Sequence, residues 1–144
     1  MMKEKYNQLL KSINEYVEKQ EQIDELVSNL RFIKKKKSTK MTIQGLENLC
    51  ENIYQFINKT IDELNHDEVL ELQISLNETI ATIERKIDNL NSLLDSGDSN
   101  ALAIFEKIDK LEMRKYLYQQ LLDHVNTKNS MNYMAMIKQY NMGK

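Results

Sequence analysis

"LLDSGDSNALAIF", residues 93–105, decides how this chain folds. Apolar runs flank the small, polar residues 95–100, with Gly97 among them. Glycine takes positive φ without steric penalty, so a helix arriving from the left ends there in a left-handed turn. A connection this short leaves the next helix one route, back along the first. The two helices therefore form an antiparallel hairpin of roughly 40 Å.

The apolar spacing on both sides supports that reading. Upstream, Val69, Leu76, Ile80, Ile83, Ile87, Leu90 and Leu94 lie on one stripe and predict a helix over 67–94. Downstream, Ile104, Ile108, Leu111, Tyr118, Leu122 and Val125, with Phe105, Leu117 and Leu121 beside them, predict a helix over 99–127. Asn129 or Ser130 is placed to cap a last short helix over 130–141, which carries Met131, Met134 and Ile137 and folds over one end.

"LNHDEV", residues 64–69, reads as a break and restart, because Asn65 and Glu68 have the spacing of a capping box. Before it, Leu46, Leu49, Cys50, Ile53, Phe56, Ile57, Ile61 and Leu64 predict a buried face on a helix over 43–64. Thr42 is its expected N-cap, bonded near Gly45, with Met41 and Leu46 closing a hydrophobic staple. The first helix spans 3–33. Its seam is Leu9, Ile13, Tyr16, Gln20, Ile23, Val27 and Leu30, in alternating steps of four and three, with Leu10, Val17 and Leu26 to one side.

The composition agrees with few, long elements: 144 residues contain no proline and three glycines. The expectation is one all-α domain over 1–144. Its architecture is an elongated up-and-down four-helix bundle, or long helical hairpins with coiled-coil-like packing, plus a short C-terminal fifth helix.

Charge singles out one segment. The net charge is −2, yet Arg31, Lys34, Lys35, Lys36, Lys37 and Lys40 place six cations in ten residues, leaving −8 for the rest. Residues 34–41 are expected as a solvated loop between helices one and two, its lysines favoured by the negative C-terminal end of helix one. The six cations are also a candidate anion contact, for nucleic acid in the first instance and otherwise for anionic lipid or an acidic protein patch. Lysine dominates and Phe32 is the one aromatic, so base-specific readout is not expected.

No arrangement of catalytic or metal-ligating residues emerges. Cys50, the one cysteine, falls on an apolar stripe and reads as a small buried hydrophobe, in keeping with a reducing compartment. His66 sits at a helix junction and His124 at the edge of a stripe. Glu63 and His66 have the spacing of half a di-iron site, but Leu121 stands where the second half needs a glutamate before His124. No glycine-rich phosphate loop occurs. No catalytic residue, metal or cofactor is expected. "MMKEKYNQLL" lacks the apolar run of a signal peptide, no stretch is apolar enough to span a bilayer, and a cytoplasmic location follows as the expectation.

"HDEVLELQISLNETI", residues 66–80, resembles the second helix of the small sporulation phosphatases, helical hairpins with a Ser-Gln-Glu-Leu-Asp signature. The resemblance implies action on a response-regulator phosphoaspartate. In "QISLN" Leu76 is retained, while Asn77 stands where the family has its acidic residue.

The functional expectation is a non-enzymatic helical module that binds another protein as adaptor, regulator or inhibitor. The candidate partner surface is the methionine-rich tail, Met131, Tyr133, Met134, Met136 and Tyr140, since thioethers adapt to varied shapes. Self-association into a homodimer through the helix-one seam is a further expectation, with Gln20 setting the register. The alternative is a small nucleic-acid-binding accessory protein using 31–40.

Overall fold

The computed structural model describes residues 2–32, 34–97 and 100–142. It is all-α, as the spacing predicts, with no strand among the described residues. Four long helices follow one another: α1 (Met2–Asn29), α2 (Lys36–Glu63), α3 (His66–Asp95) and α4 (Ala101–Met142), with a 3-10 turn at Leu30–Phe32. Contacts group the chain into two compact units, Met1–Glu63 and Leu64–Lys144.

The first unit is an α1–α2 hairpin. Its buried side chains are Tyr6, Leu9, Ile13, Tyr16 and Val17 on α1, and Ile43, Cys50, Ile57, Thr60 and Ile61 on α2. The α2 set repeats every seven residues from Ile43 to Ile57, the period of a coiled-coil seam. Two cross-links show the antiparallel register. Lys5 pairs with Glu63 near the open end, and the Tyr16 and Tyr54 rings meet at 5.4 Å further along.

The second unit pairs α3 with α4. Val69, Leu72, Leu76, Ile80, Ile83 and Ile87 bury one stripe of α3, against Ile104, Leu117, Tyr118, Leu121, Leu122 and Val125 of α4. Gln73 Nε2 donates to Asn126 Oδ1 at 2.6 Å, and Lys115 lies 3.4 Å from Glu84. Eleven residues separate the two links on each helix, as a straight antiparallel pair requires. The capping box at the start of α3 forms as expected: Glu68 N–H donates to Asn65 Oδ1 at 2.9 Å, and Asn65 N–H to Glu68 Oε1 at 3.1 Å. Gly97 has φ +78°, the left-handed turn that its position calls for.

The structure corrects four local expectations. The basic loop over 34–41 is mostly helix, because α2 starts at Lys36. Lysine is a good helix former, and no proline or glycine precedes Gly45 to stop the helix there. Thr42 is consequently an interior residue whose Oγ1 donates to Ser38 O at 3.2 Å, and Met41 is exposed rather than stapled to Leu46. The separate helix over 130–141 is the continuation of α4. Asn129 and Ser130 each cost a helix interior about 0.5 kcal/mol, less than breaking its backbone hydrogen bonds. Leu49, Phe56 and Phe105, placed in or beside buried stripes, are exposed. A hairpin partner covers one side of a helix, and these residues lie beyond it.

The glycines supply a stability test. A methyl group at Gly45, inside α2, meets nothing within 4 Å. Gly45→Ala should stabilise the protein by about 1 kcal/mol. Gly97→Ala should destabilise it by about 1 kcal/mol through left-handed strain. Urea unfolding followed by circular dichroism should show these opposite signs.

Candidate interaction surfaces

The helix-one seam divides along its length. Leu9, Ile13 and Tyr16 are buried, Gln20, Ile23 and Leu30 are half-buried, and Val27 is exposed. Gln20 hydrogen-bonds the Tyr16 side chain one turn back, so the polar seam residue has a use inside its own helix. Burial raises the Tyr16 phenol above its ordinary range, with a smaller push from Tyr54, while the Gln20 bond acts the other way.

Cys50 is buried on α2, and that burial pushes its thiol up, with Lys19 opposing and Glu47 adding. A protonated, enclosed thiol is a poor nucleophile. Glu63 and His66, adjacent in the metal-like spacing, end α2 and begin α3 respectively, so they share no helix. Glu63 instead accepts from Lys5, and that bond and charge hold its carboxyl below the ordinary carboxylate value. A depressed folded pKa contributes stability above the unfolded value, and that contribution is lost as pH falls through the folded one. Among the described residues no three His, Cys, Asp or Glu side chains converge. His66 is exposed and His124 half-buried.

The stretch resembling the phosphatase helix serves packing. Leu76 is buried, Gln73 is half-buried on Asn126, and Asn77 is exposed.

Lys34, Lys35, Lys36, Lys37 and Lys40 are all exposed, at the turn of the first hairpin and along the start of α2. The Arg31 side chain lies outside the described residues. Placement at the start of α2 reverses the expected electrostatics. The end of α1 has no basic residue in its last turn, and the first turn of α2 has no acidic one. The lysines therefore meet the positive end of a helix dipole and one another, two unfavourable terms. Phe32 projects from the same turn at 81% exposure, and Met41 follows at 68%.

The methionine-rich tail extends α4 beyond its partner. With Gln73 opposite Asn126, the first residue of α3, His66, stands opposite position 133, so residues 134–142 of α4 have no counterpart on α3. Met134, Ile137 and Tyr140 are exposed there, and Met131 is exposed just before them. An open concavity of about 550 Å³ follows the helix from Asn126 past Ser130, Met131, Met134 and Ala135 to Lys138. The side chains of Tyr133 and Met136 lie outside the described residues.

One surface escaped the sequence reading. Lys86 of α3 joins Lys107, Lys110 and Arg114 of α4 around Leu90 and Leu111, in an open groove of about 420 Å³. Lys107, Lys110 and Arg114 are spaced three and four apart, a legible one-face signal. Lys86 joins them only when the register of the hairpin is known.

Among the described residues no helix is long and apolar enough to cross a membrane. No known family model, curated protein or solved structure matches the chain.

Two measurements probe these surfaces. Cys50 should react with a thiol reagent at least about tenfold more slowly in the native protein than in urea. Lys36→Glu should stabilise the first hairpin by about 0.5 kcal/mol, as an acid at a helix start complements the dipole; unchanged or lowered stability would contradict the electrostatic reading.

Proposed function

We propose that the protein is a non-enzymatic, cytoplasmic helical module that binds another protein, as an adaptor, regulator or inhibitor, through the far end of α4. The observation that carries this reading is the length mismatch in the second hairpin. Nine residues of α4, 134–142, run past the start of α3, and Met134 and Ile137 on them are exposed. Met131 continues the same apolar surface one turn back.

A helix end of this kind offers a partner helix apolar anchors three residues apart, Met131, Met134 and Ile137, a spacing that helix-in-groove recognition uses. Methionine suits the role because its unbranched, polarizable chain adapts to a partner's relief. Charge narrows the partner further. From His124 to Lys144 the sequence has three lysines and no acidic residue, so an apolar helix edged with carboxylates fits best.

Self-association through helix one has less surface to work with. Leu9, Ile13 and Tyr16 are already covered within the chain, which leaves Gln20, Ile23, Val27 and Leu30.

The test is a triple variant, Met131→Gln, Met134→Gln and Ile137→Gln. All three side chains are outside the core, so its circular-dichroism spectrum should match the parent's. Affinity capture from the native host, read by quantitative mass spectrometry, should enrich a specific protein at least about tenfold over the variant. Purified partner and parent should then bind directly, with the variant weakened by a similar factor. Equal capture by parent and variant overturns the proposal.

A further inference from the structure

We propose that the turn of the first hairpin is a peripheral contact for an anionic phospholipid surface, with Phe32 and Met41 entering the interface and Lys34, Lys35, Lys36, Lys37 and Lys40 on the headgroups. This surface belongs to the first unit and is independent of the α4 end.

Three observations lead to it. First, from Leu26 to Leu46 the sequence holds no acidic residue, so nothing within that stretch neutralises the lysines. None of the five has an ion pair among the described residues. Second, the most exposed large apolar side chain in the described chain, Phe32, lies at the same turn, and exposed Met41 lies in the second turn of α2. Exposing a phenyl ring and a thioether beside a cation cluster has no folding benefit, since both leave apolar area in water. It is the pattern of interfacial binding, in which lysines hold acidic headgroups and apolar side chains enter the acyl boundary. Third, the lysines crowd the positive end of the α2 dipole, where anionic groups would satisfy both the cations and the free N–H groups of the first turn.

A nucleic acid shares the phosphate chemistry, but the observations favour lipid. Five of the six cations are lysines, which act as point charges and lack the guanidinium fork used on base edges. They sit at the turn of a hairpin rather than along a groove that could track a strand. A duplex backbone also offers no apolar phase to Phe32 and Met41.

The experiment uses the full chain with vesicles of phosphatidylserine and phosphatidylcholine in equal parts, against phosphatidylcholine alone. The chain has no tryptophan, so Phe32→Trp introduces a single tryptophan at the turn, whose emission lies to the red of that of the seven tyrosines. Expected results are co-flotation with the acidic vesicles only, release by high salt, and a blue shift of the Trp emission on binding. Replacing Lys34, Lys35, Lys36 and Lys37 by serine should weaken binding at least about a hundredfold. Phe32→Ser should weaken it about tenfold. Absence of flotation overturns the proposal, as does flotation with unshifted emission or with no loss in Phe32→Ser. Tighter binding to an RNA or DNA oligonucleotide than to the acidic vesicles, lost in the lysine variant, would assign the turn to nucleic acid instead and equally overturn it.

Discussion

Antiparallel pairing across a short turn is the constraint on which each unit depends. A long amphipathic helix in water exposes a continuous apolar stripe, and burying each large aliphatic side chain returns about 1.5–3 kcal/mol. A single neighbour, folded back by the turn, is enough to cover that stripe. In the second unit this produces the alternation of Leu72, Leu76, Ile80 and Ile83 with Leu117, Leu121 and Val125, fastened by Gln73 on Asn126 and Lys115 on Glu84. In the first it places Tyr16 on Tyr54 and encloses Cys50. The same constraint explains the surfaces. A hairpin covers one side of each helix, and whatever apolar residues lie elsewhere, such as Leu49, Phe56 and Phe105, stay in contact with water.

The ends of the hairpins are where covering stops. Because α4 has 42 residues and α3 has 30, no choice of register matches them along their whole length. The observed register leaves the surplus at the C-terminal end of α4, where methionines and an isoleucine are exposed without an acidic residue nearby in sequence. At the turn of the first hairpin the exposed groups are lysines around Phe32. These two ends differ in chemistry, one apolar and adaptable, the other cationic with an aromatic point. The two proposed contacts, an acidic surface for one unit and a protein for the other, together describe an adaptor.

The lysines also form a short segment whose charge works against local stability. Acidic residues at the start of α2 would favour the helix dipole, and the chain instead has Lys36 and Lys37 in the first turn. Natural proteins depart from their stability optimum most often at functional positions. Cys50 is the opposite case. Its burial serves packing and makes the thiol less reactive.

Local physics made much of this legible from residue order. The capping box at Asn65 and Glu68, the left-handed Gly97 and the apolar stripe of α3 depend on neighbours within about one helical turn, and they appear where the spacing puts them. The start of α2 runs against the expected loop, because a run of lysines has the composition of a solvated turn. Their backbone prefers helix, and the hydroxyls of Thr39 and Thr42 bond backward along it instead of capping it. What residue order alone left open was coverage. An apolar stripe has the same spacing whether a partner helix hides it or water meets it, so the exposure of Met134 and Ile137 required the register of α3 on α4. The convergence of Lys86 with Lys107, Lys110 and Arg114 required it too. Periodicity along one helix determined which residues share a face; only the alignment of two helices decided which of those faces remain in water.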